Sequence, residues 1–230
     1  MISIITPVLN EEEFVGPFLF HLNNMDDDFE LILVDGGSTD RTIDQIRKCL
    51  TSFRHRFELL ETKKGRGYQM NMGAKRAQGD ILLFLHVDSL INKYSLRIIK
   101  RELEDPAIIG GGFTQRFNDT DIFLTLMSLL GNFRTRLTHI FYGDYGFFIK
   151  KEIFEKMRGY DDIPFLEDVE ICRKAKKFGK LKQIDCRIYT SSRRFISKGR
   201  MKLSIVFTLA VIMNALGFRP GFLEKYIVDK

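Results

Sequence analysis

Residues 82–89 read LLFLHVDS, in which four apolar residues typical of a buried strand lead into His86, Val87 and the single carboxylate of Asp88. A short apolar run bounded by polar residues predicts a strand of a parallel sheet that is covered on both faces. In open α/β sheets, ligands bind beyond the carboxyl ends of the strands. We therefore expect Asp88 at the rim of a ligand crevice and not in the core.

The same pattern recurs before this stretch, where apolar runs alternate with longer helical patterns. The runs predict strands at residues 2–5, 29–34, 57–60 and 81–85, and helices at 12–22, 40–50, 67–77 and 95–103. This alternation predicts an α/β, Rossmann-like fold with a mostly parallel sheet and helices on both faces. TPVLNEEE at 6–13, DGGSTD at 35–40 and HVDS at 86–89 should then converge on one crevice. Ser38 or Asp40 is available to cap the helix at 40–50.

The second half is less regular. Its patterns predict strands at 108–117, 142–150 and 181–188, and helices at 121–130 and 167–178. The sequence contains no internal repeat, no low-complexity segment and no obvious linker, so we expect a single domain over residues 1–230.

The charge balance favours an anionic partner. Lys and Arg number 36 against 30 acidic residues, a net charge of +6, which suits a phosphorylated small molecule, an acidic membrane face or nucleic acid. Nucleic acid is disfavoured because the basic residues are spread along the chain without a recognised motif. Cys49, Cys172 and Cys186 form no CxxC pair, which is typical of reduced thiols in a cytosolic protein. The N-terminus reads as a strand and not as a signal peptide, so secretion is not expected.

One segment, LSIVFTLAVIMNAL at residues 203–216, is apolar on nearly every face and carries basic flanks at Arg200, Lys202 and Arg219. It is shorter than the ~20 residues that span a bilayer. It is either a core or homodimer-interface helix, or a helix that lies on anionic lipid as a peripheral membrane contact.

Two stretches in the first half suit a nucleotide. Asp35 ends an apolar strand before Gly36, so its carboxylate either accepts hydrogen bonds from a base or ribose, or closes a turn. Lys64 and Arg66 precede a predicted helix, where cations and helix amides together suit a phosphate; the alternative is a solvated basic loop. No GxGxxG and no GxxxxGK[ST] occurs, which excludes those two phosphate-binding fingerprints.

Asp88 is the candidate metal ligand. Mg²⁺ is commonly held by one or two carboxylates together with substrate phosphates. His86, two residues earlier, points to the same side of an extended segment, so the pair suits a metal and a nucleotide. An ordinary polar strand ending is the alternative.

Three further stretches suit a general base, an acceptor and a pyrophosphate. Glu167 and Asp168 in FLEDVE are adjacent at a predicted helix start. Either one of them is a general base, or both are simply carboxylates that the helix dipole stabilises. GDYG at 143–146 is a candidate floor for an acceptor. Arg193 and Arg194 in TSSRR are either pyrophosphate ligands or a surface basic pair.

The order of these motifs resembles that of the inverting family 2 glycosyltransferases of GT-A fold, over about residues 2–200. TPVLNEEE is similar to the first nucleotide-binding segment of that family, VDGGSTDRT to the second, GRGYQMNMGAKRAQGDILLFLHVDS to the segment leading to the DxD position, and FLEDVE to the ED motif. The nearest resemblance is to a small bacterial subgroup with HxD in place of DxD and an arginine pair before an aromatic residue, here Phe195. The QxxRW motif of processive members is absent.

The resemblance implies roles for individual residues. Asp168 becomes the catalytic base, assisted by Glu167, and Asp88 the ligand of a divalent cation, Mg²⁺ or Mn²⁺. Gly143, Asp144 and Tyr145 become acceptor-binding residues. The residues implied to bind nucleotide are Pro7, Leu9, Glu11, Asp35, Gly36, Lys64, Arg66, His86 and Arg194. Residues up to about 105 become the donor half, 106–200 the acceptor half, and 201–230 a C-terminal helical extension with its tail.

The predicted function is non-processive transfer of one sugar from a nucleotide-diphosphate sugar to an acceptor hydroxyl, with inversion. We expect a cytoplasmic enzyme at the inner face of the cell membrane, with a lipid-linked acceptor suiting the apolar C-terminal segment. Two alternatives stay open. A sugar-phosphate nucleotidyltransferase usually has a glycine-rich loop after its first strand, where this chain is acidic and glycine-free. A non-catalytic nucleotide-binding or membrane-scaffold protein is compatible with the HxD departure.

Overall fold

A computed structural model describes residues 1–163, 165–199, 204–209 and 213. The contacts between Cα atoms divide the chain into two units, Met1–Thr190 and Ser191–Lys230. All of the strands described below belong to the first unit.

One sheet forms the centre of the first unit. Its strands lie in the order β3-β2-β1-β4-β7-β6-β8-β5. The pairs β1–β2, β2–β3, β1–β4 and β6–β8 are parallel, whereas β4–β7, β6–β7 and β5–β8 are antiparallel. The strands are β1 (Ile2–Val8), β2 (Phe29–Asp35), β3 (Arg56–Glu61), β4 (Ile81–Phe84), β5 (Ser89–Ile91), β6 (Ile108–Phe117), β7 (Phe147–Lys150) and β8 (Lys180–Thr190).

Helices cover both faces of this sheet, as the sequence predicts. The buried residues of α1, α2 and α4 belong to the core on one face, and those of α3, α6 and α7 to the core on the other. The helices are α1 (Val15–Asn23), α2 (Thr42–Leu50), α3 (Arg66–Arg76), α4 (Ser95–Glu102), α5 (Ile122–Thr138), α6 (Lys151–Lys156), α7 (Glu167–Ala175) and, in the second unit, α8 (Arg193–Lys198).

The apolar strands of the first half are unbroken because both of their faces are buried. Alternate residues of β1 and β2 enter opposite cores: Ile4 and Leu33 face α1 and α2, whereas Ile5 and Ile32 face α3. These four side chains are at most 1% exposed. A carboxylate that ends such a strand is therefore carried out of the core to the sheet edge.

Turn chemistry explains where the early helices begin. Asp40, one of the two predicted caps, accepts the N–H of Thr42 at 2.9 Å at the start of α2. Ser38 does not cap this helix; its hydroxyl accepts the N–H of Asn10 at 2.9 Å. Helix α1 begins at Val15 and not at residue 12, which places Pro17 in its first turn, where a missing N–H costs nothing.

The predicted strand at 142–150 is wrong in its first part. Gly143–Tyr145 is a 3₁₀ turn, and only Phe147–Lys150 is a strand, antiparallel to β4. Helix α6 and strand β5 were not predicted. Strand β5 is three residues long and exists through its pairing with β8, a long-range contact that a local pattern does not reveal.

Helix α5 continues eight residues beyond its predicted end at Leu130. Gly131 and Asn132, the first two residues beyond that end, both serve tertiary contacts. A Cβ at Gly131 would lie 2.6 Å from the hydroxyl of Tyr145. The side-chain amide of Asn132 exchanges hydrogen bonds of 3.0 and 2.8 Å with the backbone N–H and C=O of Gln115 on β6.

The second unit contains α8 and a helix over residues 204–209. The rings of Phe195 and Phe207 stack with centroids 6.0 Å apart, which joins the two helices. The predicted apolar helix at 203–216 lies outside the described residues except for 204–209 and 213. Of the helices in the described ranges, none is both long and apolar enough to cross a membrane.

Candidate active site

Three of the predicted segments meet at one edge of the sheet. Strand β1 lies between β2 and β4, and Val8 at its end is paired with Asp35 at the end of β2. On the other side, Leu85, the residue after β4, donates its N–H to the carbonyl of Ile5 at 3.0 Å, so the chain after β4 continues alongside β1. The segments after β1, β2 and β4 therefore share the carboxyl edge, where ligands bind in such sheets.

Hydrogen bonds join the first two of these segments. The side-chain carbonyl of Asn10 accepts the N–H of Thr39 at 2.9 Å, and Glu11 donates its N–H to the hydroxyl of Thr42 at 2.7 Å. Pro7, Leu9 and Glu11, predicted to bind nucleotide, are all half-buried along this seam. These bonds fix the two segments relative to each other and form one continuous wall.

Asp35 is buried and holds the turn that follows it. Its carboxylate accepts the N–H of Gly37 at 2.8 Å and the N–H of Ser38 at 3.0 Å. Gly37 has φ +91°, in the region that favours glycine. The turn interpretation of Asp35 is thus present in the structure, and contact with a base or ribose stays a prediction.

Gln69 was not singled out from the sequence, although it ties this edge together. Its buried amide donates to the carbonyl of Val8 at 3.0 Å and to that of Val34 at 2.7 Å. A Cβ at Gly36 would lie 3.0 Å from the Gln69 side chain, so the absence of a side chain at Gly36 makes room for this bridge. Gln69 lies in a helical pattern, and no local signal marks it.

The two basic residues before α3 have different surroundings. Lys64 is exposed. Arg66, the first residue of α3, is half-buried and pairs with the carboxylate of Glu167. Burial opposes the charge of Arg66, but Glu167 and then Asp168 raise the pKa of Arg66 above its ordinary value. Arg66 therefore stays charged beside the acidic pair, and its predicted contact with a phosphate is not tested.

The acidic pair begins α7. Leu166, just before it, has φ +64°, a left-handed conformation that turns the chain sharply into the helix. Glu167 is 2% exposed, whereas Asp168 is half-buried and accepts the N–H of Gly143 through Oδ2 at 2.8 Å. Adjacent residues thus take different environments: Glu167 is held by Arg66, and Asp168 faces the 3₁₀ turn.

Burial raises the pKa of Asp168 from its ordinary value of 3.8 to about 7, and the neighbouring charge of Glu167 adds to this shift. Arg66 and the N–H of Gly143 act in the opposite direction. A carboxylate with a pKa near neutrality is suited to accept a proton from a hydroxyl and to release it again.

The 3₁₀ turn of the predicted acceptor residues brings His86 into the same site. A Cβ at Gly143 would lie 2.6 Å from Nε2 of His86 and 3.6 Å from Nη1 of Arg66. Gly143 and Asp144 are half-buried, but Tyr145 is only 4% exposed and its ring packs in the core. Gly143 is therefore the point where the segment after β4, the start of α3 and the start of α7 meet.

Arg134 of α5 was also missed from the sequence. Its guanidinium lies 4.2 Å from the ring centroid of Tyr142 and 6.0 Å from that of Tyr145. Burial raises the pKa of Tyr142 to about 12, although Arg134 lowers it. Arg134 places a positive charge beside the turn that contains the predicted acceptor residues.

His86 and Asp88 lie between β4 and β5, and both are half-buried. The N–H of Ser89 donates to the carbonyl of His86 at 3.1 Å, which folds this segment into a turn. Across the ranges that the structure describes, His, Cys, Asp and Glu form no group of three that could hold a metal ion. A single carboxylate fits a Mg²⁺ or Mn²⁺ ion only if phosphates and water supply most of its ligands.

The remaining predicted residues lie in the second unit. Arg193 begins α8, and Arg194 is the next residue of that helix. The Arg194 side chain lies outside the described part of the chain, so its predicted contact with a diphosphate is not tested. The three cysteines are free thiols; Cys172 and Cys186 are buried and Cys49 is half-buried.

The chain has relatives among glycosyltransferases. It is 33% identical over 99 residues to the poly(ribitol-phosphate) beta-N-acetylglucosaminyltransferase TarS of Staphylococcus aureus, a match covering 41% of this chain and 17% of TarS. It is 29% identical over 131 residues to the dolichyl N-acetyl-alpha-D-glucosaminyl phosphate 3-beta-D-2,3-diacetamido-2,3-dideoxy-beta-D-glucuronosyltransferase of Methanococcus voltae, over 51% of this chain and 40% of that protein. The chain thus spans less than half of either relative.

Solved structures share the fold. The mannosyltransferase PcManGT from Pyrobaculum calidifontis, in complex with GDP-Man and Mn²⁺, superposes with a TM-score of 0.69 at 22% identity, over 81% of this chain and 56% of that one. S. aureus TarS 1–349 in complex with UDP-GlcNAc superposes with a TM-score of 0.63 at 20% identity, over 83% of this chain and 58% of that one. These similarities show a GT-A fold.

A family model described as glycosyl transferase family 2 matches residues 3–159. The matched range contains Asp35, Arg66, His86, Asp88 and Gly143, and it ends before Glu167 and Asp168. Since the match covers more than half of the 230 residues, the chain belongs to glycosyl transferase family 2.

Proposed function

We propose that this chain transfers one sugar from a nucleotide-diphosphate sugar to an acceptor hydroxyl with inversion, and that it releases the product after each transfer. The observation that carries the proposal is the environment of Asp168. Its carboxylate has a pKa near 7 and lies beside a half-buried turn at the edge where a nucleotide would bind. Family membership supports the same reaction class.

Asp168 acts as the general base in this proposal. Inversion requires the acceptor oxygen to attack the anomeric carbon from the side opposite the leaving diphosphate. As the new C–O bond forms and the bond to the diphosphate breaks, Asp168 takes the hydroxyl proton. The Gly143 N–H holds Oδ2, and in this proposal Oδ1 receives the acceptor proton. Glu167 and Arg66 are positioning residues, because their ion pair sets the charge around Asp168.

The leaving diphosphate needs compensation of its negative charge. Asp88 would hold a Mg²⁺ or Mn²⁺ ion together with the donor phosphates, and such an ion neutralises charge on the leaving group. The solved complex of PcManGT with GDP-Man and Mn²⁺ supports a divalent cation in this fold. Lys64, which is exposed near the carboxyl edge, and Arg194 are the chain's own candidates for phosphate contact.

The acceptor is proposed to be lipid-linked or to carry a phosphate. The names of the two relatives describe a dolichyl N-acetyl-alpha-D-glucosaminyl phosphate and a poly(ribitol-phosphate) as acceptors. Arg134, stacked on Tyr142 beside the acceptor turn, is a cation in a suitable place for such a group.

Nucleotide binding and turnover test the proposal separately. UDP, GDP, CDP and dTDP are screened by thermal shift with and without Mn²⁺, since a ligand that binds the folded state raises its apparent stability. UDP-GlcNAc, GDP-Man and other nucleotide sugars are then assayed for release of the nucleoside diphosphate. Stabilisation by at least one nucleotide and release from its sugar ester are expected. If no nucleotide stabilises the chain, the proposed function is wrong.

Asp168→Asn tests the base. We expect unchanged nucleotide binding and a fall in turnover of about 10² or more. Asp185→Asn, at an exposed position on β8, is the matched control and should leave both unchanged. Normal turnover in Asp168→Asn would remove Asp168 from this role. Release of pyrophosphate from a sugar phosphate and a nucleoside triphosphate would instead favour the nucleotidyltransferase.

A further inference from the structure

Helix α5 exposes its apolar side chains. Most of them form one stripe along the helix, which we call the outer face of α5. Their exposed fractions run from 52% for Leu126 to 87% for Ile122. The outer face consists of Ile122, Leu126, Leu129, Leu130, Phe133 and Leu137.

The opposite side of α5 is buried although it is largely polar. Its buried residues are Leu124, Ser128, Asn132 and Thr135. Ser128 donates to the side-chain carbonyl of Gln115 at 2.8 Å, and Asn132 bonds the Gln115 backbone. The helix is thus held to the sheet by hydrogen bonds, while the stripe that would normally pack into a core faces outward. An exposed apolar patch of this size marks an interaction site.

The charges around α5 favour an anionic surface as its partner. Residues Ile122–Thr138 include Arg134 and Arg136 but no Asp or Glu. At the C-terminal end, Lys176 of the segment after α7 donates to the carbonyl of Thr138 at 3.0 Å, which adds a third cation. Asp121, at the other end, is engaged as the helix cap and accepts the N–H of Leu124. An apolar stripe with basic residues beside it is typical of a helix that lies in the interface of an anionic bilayer.

A second copy of the chain is a poorer partner for this surface. Area does not separate the two partners, because six side chains with these exposures offer roughly 700 Å², close to the about 800 Å² that each partner buries in a stable protein interface. The charges do separate them: pairing α5 with α5 brings the Arg134 and Arg136 of both copies to the contact, and Ile122–Thr138 contains no Asp or Glu to compensate them.

We infer that the outer face of α5 docks on the surface of an anionic lipid bilayer. Gly143 follows Thr138 by five residues, so the acceptor turn lies within about 18 Å of the end of this helix. Docking through α5 therefore holds the acceptor side of the site close to the lipid head groups. If the proposed function is right, the enzyme meets a lipid-linked acceptor there without extracting it from the bilayer.

Flotation with lipid vesicles tests the inference. The full chain is mixed with vesicles of phosphatidylcholine alone or with about one third phosphatidylglycerol, and bound protein is measured after centrifugation. The double variant Leu129→Gln/Phe133→Gln removes two apolar contacts from the outer face. The control is Phe20→Gln, which changes an apolar side chain that is 74% exposed on α1. Circular dichroism confirms that each variant is folded, as expected for exposed positions.

We expect the unaltered chain to float with the anionic vesicles. The partition coefficient of the double variant should be lower by roughly tenfold or more. Phe20→Gln should float like the unaltered chain, and Arg136→Gln should lose part of the preference for anionic lipid. The inference is overturned if the unaltered chain does not float, or if the double variant floats equally well. It is also overturned if the lipid-free chain is a dimer that the double variant converts to a monomer.

These results are independent of catalysis, because flotation needs no donor. A chain that floats through α5 but binds no nucleotide would contradict the proposed function and leave membrane docking intact. A chain that binds nucleotide but does not float would do the reverse.

Discussion

The folded protein should lose stability as the pH rises, because Asp168 holds a proton that the unfolded chain releases. Burial and the charge of Glu167 raise its pKa from 3.8 to about 7. Between these values the folded state binds more protons than the unfolded state, so the contribution to stability is fully present below pH 4 and is lost as the pH rises through 7. Integrated from pH 5 to pH 8, the loss is roughly 2.5 kcal/mol, an upper bound because the buried site relaxes on ionisation.

Asp168→Asn carries no charge at either pH and should escape this loss. We expect Asp168→Asn to gain up to roughly 2.5 kcal/mol of stability relative to the unaltered protein between pH 5 and pH 8, or several degrees in Tm, and to match it only below about pH 4. Urea unfolding at both pH values measures the difference, with Asp185→Asn, on the exposed side of β8, as the control for general charge effects. A stability difference between Asp168→Asn and the unaltered protein that does not change with pH would refute the assignment of a raised pKa.

Three further changes probe the same edge of the sheet. Arg66→Gln removes the cation that lowers the pKa of Asp168, so the pH at which nucleoside diphosphate release is half-maximal should move upward; an unchanged pH–rate profile would contradict the coupling. Gln69→Leu removes two buried hydrogen bonds, although the Val8 carbonyl keeps the N–H of Gly36, and should cost about 1–3 kcal/mol in urea unfolding, where a loss below about 0.5 kcal/mol would argue against the bridge. Gly143→Ala places a Cβ 2.6 Å from the ring of His86, so turnover should fall while nucleotide binding persists; full turnover would show that the turn moves without cost.

Local pattern was sufficient for the first half of the fold. The apolar runs of β1, β2 and β4 have no polar face because helices cover both sides of the sheet. An unbroken apolar run therefore predicts a strand that is buried on both faces. Strand alternation with helices gave the parallel order, and that order places Asp35 and Asp88 at one edge.

Pattern was insufficient where a residue serves a distant partner. The helix predicted to end at Leu130 continues to Thr138, where Gly131 makes room for Tyr145 and Asn132 bonds the backbone of β6. The strand predicted at residues 142–150 begins with a 3₁₀ turn because Gly143 must meet Asp168. In both places a tertiary contact overrides the local preference.

The sequence by itself determined the α/β class, the family resemblance and the identity of the acidic pair as a candidate base. The resemblance favoured Asp168 over Glu167, but the residues themselves gave no physical reason for that choice, since both begin the same helix. Only the tertiary structure gives the buried Glu167 an arginine partner and leaves Asp168 half-buried against the N–H of Gly143. The physical reason is that a pKa depends on burial and on nearby charges, and the charges around Asp168 come from segments up to a hundred residues away in the chain.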